Sequence, residues 1–338
     1  MRIVFMGTPD FAVASLDAIV QAGHQVAAVV TVPDRQTGRG LRITYPPVKE
    51  YALVHQLPLL QPEKLRERQF LQQLQNLHAD LFVVVAFRML PQVVWSIPPL
   101  GSFNLHASLL PNYRGAAPIN WALINGEKET GVTTFMLNDH IDEGKILLQR
   151  STPITDADNA ESLHERLAEM GKQLVVETIA GLADGTLQPH EQPTLPDPKQ
   201  APKIYKDDCA INWDWPGERI VNFVRGLSPY PAATMAMIDE KGNVHSFKVY
   251  DVRYDRANNL SKPCIIEKND YSKTNSSQKP LQSPIIPCFD TISLQKKSLK
   301  MNIRDGEIEI LSLQISGKRK NSSEEFLRGH DIKHWKLV

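Results

Sequence analysis

The feature that most restricts the fold is a rhythm in the first half of the chain. Short apolar runs of strand length, at 2–6, 25–31, 80–86 and 102–105, alternate with stretches whose apolar residues fall at helical spacing. The clearest of these stretches, 11–22, stops at Gly23, in the position that glycine favours after a helix. Strand and helix in alternation predict a parallel sheet flanked by helices. Two more strands at 131–137 and 145–149, and a long helix at 162–183, complete an α/β domain with a doubly wound, mostly parallel sheet, Rossmann-like, over residues 1–186.

From 185 to 202 the sequence turns polar and rich in proline, as an extended connector does. A linker is therefore expected over 187–203. Beyond it, one helix at 216–226 precedes alternating segments at 245–252, 291–294 and 307–314, which predict a small β-barrel, OB-like, over 204–338. The Ser-, Lys-, Asn- and Pro-rich stretch 269–284 reads as a loop inserted in that barrel. A length of 338 residues suits two such domains.

Composition excludes several classes. The chain is 42% hydrophobic and 22% charged, ordinary for a soluble globular protein. No run approaches the roughly 20 apolar residues of a membrane-spanning helix, so no membrane association is expected. Met1-Arg2-Ile3-Val4-Phe5 enters a strand pattern at once, leaving no room for a secretory signal; a cytoplasmic protein is expected. Three cysteines, at 209, 264 and 288, form no close pair of the zinc or redox kind. Formal net charge is zero, with 21 Lys+Arg against 17 Asp+Glu after residue 203 and the reverse before it, a mild bias toward a polyanion on the C-terminal side.

The Gly7-Thr8-Pro9-Asp10 turn lacks the three spaced glycines of a dinucleotide site. The informative stretch is 101–115. If the strand runs on through it, Asn104, His106 and Ser108 share one face, at the end of the sheet where open α/β folds place ligands. The loop Asn138-Asp139-His140-Ile141-Asp142-Glu143-Gly144 adds carboxylates after another strand. His106 or His140 with Asp139 or Asp142 has none of the usual ligand spacings, so no metal is expected.

Asn104-x-His106-x-Ser108-Leu109-Leu110-Pro111-x-Tyr113-Arg114-Gly115, followed by Asp142-x-Gly144, resembles the signature of the folate-dependent formyltransferases. Residues 2–11 and 33–40, the run Arg225-Gly226-Leu227-Ser228-Pro229-Tyr230-Pro231, and 311–314 with Gly317-Lys318 are similar to the methionyl-tRNA formyltransferases. The resemblance implies that Asn104, His106 and Asp142 act together. It further implies that Ser108, Leu109, Leu110 and Pro111 shape a folate cleft, with Ala86, Phe87, Arg88, Met89 and Leu90 contacting the pterin through a loop shorter than many relatives have. The implied co-substrate is 10-formyltetrahydrofolate and the implied partner initiator methionyl-tRNA. The basic loop holding Arg35, Arg39 and Arg42 would probe the tRNA acceptor end, and Lys318 would meet phosphate. A monomer is expected.

Formyl transfer between nitrogens is acyl transfer. An α-amino group with a pKa of about 7.7–8.0 is partly neutral near pH 7, so neither a strong base nor a covalent nucleophile is needed. Asn104 and His106 are expected to donate hydrogen bonds to the developing oxyanion, and Asp142 to set the protonation of His106. A formyltransferase acting on a sugar nucleotide or a ribosyl glycinamide, and an inactive RNA-binding protein on the same scaffold, are the alternatives.

Overall fold

The computed structural model describes residues 1–37, 42–256, 298–332 and 334–338. It separates into two compact units, Met1–Ala122 with Glu127–Lys203, and Leu123–Gly126 with Ile204–Val338.

The first unit opens with β1 (Arg2–Gly7), α1 (Asp10–Gln21) and β2 (Gln25–Val30). Every residue of β1 from Ile3 to Met6 is fully buried, which is why the run carries no polar alternation. Asp10 places negative charge in the first turn of α1, where the helix dipole favours it. A short hairpin follows, β3 (Arg35–Thr37) and β4 (Arg42–Thr44), paired antiparallel, then α2 (Pro47–Val54), which starts on proline as helices tolerate. The chain continues through β5 (Leu59–Leu60), α3 (Arg68–Asn76), β6 (Leu81–Val85), α4 (Gln92–Trp95) and β7 (Ser102–His106). After it come β8 (Arg114–Gly115), α5 (Pro118–Ile124), β9 (Glu129–Met136), β10 (Ile146–Pro153), α6 (Ala160–Ala183) and β11 (Gln200–Ala201).

Seven strands form one sheet in the order β10-β9-β7-β6-β1-β2-β5. The five from β7 to β5 run parallel, whereas β9 is antiparallel to β7 and β10 antiparallel to β9. The mostly parallel, doubly wound reading holds, with an antiparallel edge that apolar rhythm cannot reveal because it carries no strand direction. Helix α6 starts on a reciprocal cap between Asn159 and Ser162, two orphan N–H groups satisfied at once. It lies close on β7: a β-carbon on Gly171 would meet Leu105 Cδ2 at 2.7 Å.

The segment expected to be an extended connector is extended and docked on the first unit. His190 exchanges two backbone hydrogen bonds with Ile146, and β11 pairs in parallel with β8.

The second unit holds a 3₁₀ turn at Lys206–Cys209, α7 (Gly217–Leu227), β12 (Ala233–Ile238), β13 (Val244–Arg256), β14 (Leu299–Ile303), β15 (Gly306–Ile315), β16 (Asn321–Ser322), α8 (Ser323–Gly329) and β17 (Lys336–Leu337). Its six strands form an antiparallel half-barrel, in the order β14-β15-β13-β12-β17 with β16 on β15. Phe223, Val224, Phe247, Val249, Ile308, Ile310 and Phe326 fill its core. The strand expected at 291–294, the insertion at 269–284 and two of the cysteines lie outside the described residues; Cys209 is free and buried. Among the described residues no helix is long and apolar enough to cross a membrane.

Candidate active site

Three elements of the first unit bring the polar residues of the motif together. β7 places Asn104 beside Val84 of β6, and His106 follows two residues later on the same face. Both line a cavity of about 880 Å³. Its walls are otherwise largely apolar: Phe11, Val84, Leu90, Trp95, Ile119 and Leu137 line it, and residues 115–118 and 120 contribute as well. The loop between β9 and β10 brings Asp142 to the same space, its carboxylate Oδ2 3.8 Å from His106 Nδ1. That is ion-pair range, longer than a hydrogen bond.

The orientation of His106 is fixed from the other side. Nε2 stands 2.8 Å from the Tyr113 carbonyl oxygen, and a carbonyl only accepts, so Nε2 carries hydrogen. The second ring nitrogen, Nδ1, is the one that faces Asp142. The imidazole is buried, 6% exposed, its plane nearly perpendicular to the Phe135 ring. Asp142 Oδ2 also accepts from the Gly115 backbone N–H at 2.9 Å. Among the described residues the Asn104 side-chain amide has no hydrogen-bond partner of its own, leaving it available within the cavity.

Asp142 adopts a left-handed backbone, φ +54°, which a non-glycine residue keeps only where its surroundings demand it. Those surroundings are Gln192 and Arg114. Gln192 Nε2 donates to the carbonyls of Asp142 and Gly144 at 2.8 and 2.9 Å, and Arg114 donates to Gln192 Oε1 and to Glu143 Oε1. The sequence reading gave neither residue a role. Arg114 stood in the quoted motif and could have been found there; Gln192 carries no local signal.

The stretch from Ser108 to Pro111, expected to shape the folate cleft, stands next to the cavity and not on its wall. β7 ends at His106, so Ser108 does not continue the face of Asn104 and His106. Its hydroxyl donates to the Asn112 carbonyl at 2.7 Å, and none of Ser108, Leu109, Leu110 and Pro111 is on the cavity wall. They are fastened to β9 instead. Thr133 Oγ1 donates to the Ser108 carbonyl and accepts from Leu110 N–H, while Gln149 reaches both Leu110 O and Thr133. The turn after β7 is thereby tied to β9 and β10.

Ala86, Phe87, Arg88, Met89 and Leu90 do line the cavity. Ala86 turns the chain with φ +47°, Met89 is exposed and Leu90 buried. Arg88 directs its guanidinium at the carbonyls of Pro62 and Glu63, and burial pulls its pKa below the usual arginine range. Arg88 thus ties two loops together.

Of the basic residues, Arg35 is exposed on β3, Arg42 belongs to β4, and Arg39 lies outside the described residues. In the second unit Lys318 is exposed in the turn after β15, beside Lys320, whose Nζ sits 4.5 Å over the Tyr250 ring.

Comparison with known proteins places this geometry. The formyl transferase family matches residues 1–179, and the formyl transferase C-terminal domain matches residues 203–331. A Bacteroides fragilis protein named methionyl-tRNA formyltransferase is 45% identical over 335 residues, 98% of this chain and 96% of its own length. One of the same name from Flavobacterium johnsoniae is 44% identical over 329 residues, covering 97% and 96%. Among solved structures the fold is shared with WlaRD, a sugar 3N-formyl transferase, at TM-score 0.59 and 18% identity over 94% of this chain and 99% of that one. It is shared too with HypX from Aquifex aeolicus in complex with tetrahydrofolic acid, at TM-score 0.58 and 16% identity, over 97% of this chain but only 47% of the HypX chain. The family match over more than half of the chain, and near-full-length identity far above that of the structural neighbours, decide the point: the chain belongs to the formyl transferase family, in the branch whose curated members bear the name methionyl-tRNA formyltransferase.

Proposed function

We propose that the protein transfers the formyl group of 10-formyltetrahydrofolate to the α-amino group of methionyl-tRNA on initiator tRNA, in the cytoplasm and as a monomer. The observation that carries the chemistry is the approach of His106 and Asp142 beside Asn104 in one largely apolar cavity. An apolar wall suits a flat pterin, and three polar groups at one end suit a single reacting centre.

The reaction forms an N–C bond to the acceptor amine and breaks the one to the folate nitrogen; a proton leaves the former and reaches the latter. Asn104 Nδ2 donates to the oxygen that becomes an oxyanion. His106, held by Tyr113 through Nε2, uses Nδ1: protonated, it adds a second donor and positive charge, with the Asp142 carboxylate opposite stabilising the imidazolium. That proton comes from the attacking amine: Nδ1, unprotonated at the start and backed by Asp142, accepts it as the N–C bond forms, and the imidazolium then returns it to the leaving nitrogen, so no net proton is consumed. Ala86 to Leu90 supply the pterin-facing wall. Ser108 to Pro111 act by holding the end of β7 in place. Arg39, with Arg42 and Arg35, faces the acceptor end of the tRNA, and Lys318 meets its phosphates.

Whole-length similarity to relatives named for methionyl-tRNA, against 18% identity to a sugar formyltransferase, favours the tRNA acceptor. The test is formylation by the purified protein of methionyl-tRNA and, in parallel, of an amino-sugar nucleotide. Methionyl-tRNA alone should be labelled, and Asn104→Ala or His106→Ala should lower turnover roughly 100- to 1000-fold with folding intact. Preferred labelling of the sugar nucleotide, or near-normal turnover in either variant, would overturn the assignment.

A further inference from the structure

The polar, proline-rich stretch after α6 contributes one side chain whose hydrogen bonds all serve the Asp142 turn. A primary amide has two N–H donors and a carbonyl with two acceptor sites. In Gln192 every one is used. Nε2 donates to Asp142 O at 2.8 Å and Gly144 O at 2.9 Å; Oε1 accepts from Arg114 Nη2 at 2.6 Å and Nε at 3.2 Å. Arg114 Nη1 then holds the Glu143 carboxylate at 2.9 Å. Three consecutive residues of the turn, 142 to 144, are thus gripped by two side chains from elsewhere in the chain.

The grip acts where it affects chemistry. Backbone carbonyls on either side of Glu143 are fixed, Asp142 is held at a left-handed φ, and its carboxylate is thereby aimed at Gly115 N–H and His106 Nδ1. Because Asp142 Oδ2 is already 3.8 Å from Nδ1, a small rotation of the turn would remove it from the imidazole altogether.

We infer that Gln192 is a positioning residue for formyl transfer, acting with Arg114 through the backbone of Asp142. This rests on the role given to Asp142 above. Gln192 is not itself on the cavity wall; it sets the separation and angle between carboxylate and imidazole. It also makes the stretch after α6 part of the active site.

The experiment compares Gln192→Met, which keeps the length of the side chain, Gln192→Glu, which keeps an acceptor for Arg114 but offers oxygen to two carbonyls, Asp142→Asn, and the double variant Gln192→Met with Asp142→Asn. Both Gln192 variants should lose kcat about 10- to 100-fold, the range typical when the hydrogen bonds behind a functional ligand are removed. KM for methionyl-tRNA and folate should stay near wild type, and the pH profile of kcat should shift. On the Asp142→Asn background the Gln192→Met change should cost no more than about twofold, since two residues acting through one group are not additive. Should Gln192→Met fold poorly, Gln192→Glu alone and combined with Asp142→Asn decides in its place. Wild-type kcat in both Gln192 variants while Asp142→Asn is impaired would overturn the positioning role and leave Asp142 catalytic. Full additivity on the Asp142→Asn background would overturn it too, because Gln192 would then act on the fold alone. Wild-type kcat in Asp142→Asn would remove the role of Asp142, and this inference with it.

Discussion

Gly144 lies so close to Met136 that a β-carbon built on it would stand 1.6 Å from the Met136 carbonyl oxygen. Met136 ends β9, pairs with Phe103 of β7, and donates its own N–H to Lys145. The obstacle is backbone and not the end of a flexible side chain, so a side chain at 144 must shift the turn that carries Asp142 or the end of β9 beside it.

Gly144→Ala is therefore expected to lower turnover by roughly 100-fold, the loss that a misplacement of about 1 Å brings to an oriented reaction. Single-turnover formylation with saturating substrates reads it directly. Wild-type turnover would mean that the turn tolerates displacement without effect on the chemistry.

Thr133 is fully buried and its hydroxyl joins Ser108 O, Leu110 N–H and Gln149. Thr133→Val keeps the shape and leaves those groups short of a partner, at a cost of about 1–3 kcal/mol. Urea unfolding should show the loss, with folate KM changed far less than stability. A large rise in folate KM at unchanged stability would instead make the Ser108–Pro111 turn a direct folate contact.

Asp158 reports on acid stability. Burial by itself would raise its pKa, but the Arg166 guanidinium at 2.7 Å and hydrogen bonds from Thr155 and Ser162 outweigh it and bring the group to about 2. The folded pKa is depressed, so the stabilisation is present above the unfolded value of 3.8 and disappears as pH falls through about 2. Asp158→Asn should cost about 2 kcal/mol at pH 7, and the gap from wild type should close between pH 4 and 2. A gap independent of pH would assign the effect to packing.

If Arg39 and Lys318 contact tRNA phosphates, each alanine substitution should weaken tRNA binding and make the log–log salt slope shallower by about 0.7. Titrations at stepped KCl concentrations measure it. Weaker binding with an unchanged slope would point to base or packing contacts in place of phosphate.

Much of this was legible in the residues. Period and composition located β1, β2 and β6 to within a few residues, because strands buried on both faces leave a nearly uninterrupted apolar run, and placed β7, β9 and β10 from shorter mixed runs. Asn104 and His106 were legible as a pair, since alternation forces them to one face. Ser108 was misjudged because alternation does not say where a strand stops; its hydroxyl bonds to Asn112, in the turn that follows. Arg88 was legible as a cavity residue, but not its tie to carbonyls 25 and 26 residues away. Gln192 stayed invisible for the same reason: its partner Arg114 is 78 residues distant, and nothing local distinguishes it from a connector residue. The hairpin of β3 and β4 read as a plain loop because its two strands are only three residues long each.

The docking of residues 190–201 across β8 and Ile146 bears on how this protein is divided experimentally. A fragment ending with α6, the boundary that sequence similarity to the N-terminal family would recommend, would strip the lone partner strand from β8 and bare the polar backbone there. Such a truncate should be sticky and idle, whereas one carried to Lys203 keeps its own hem.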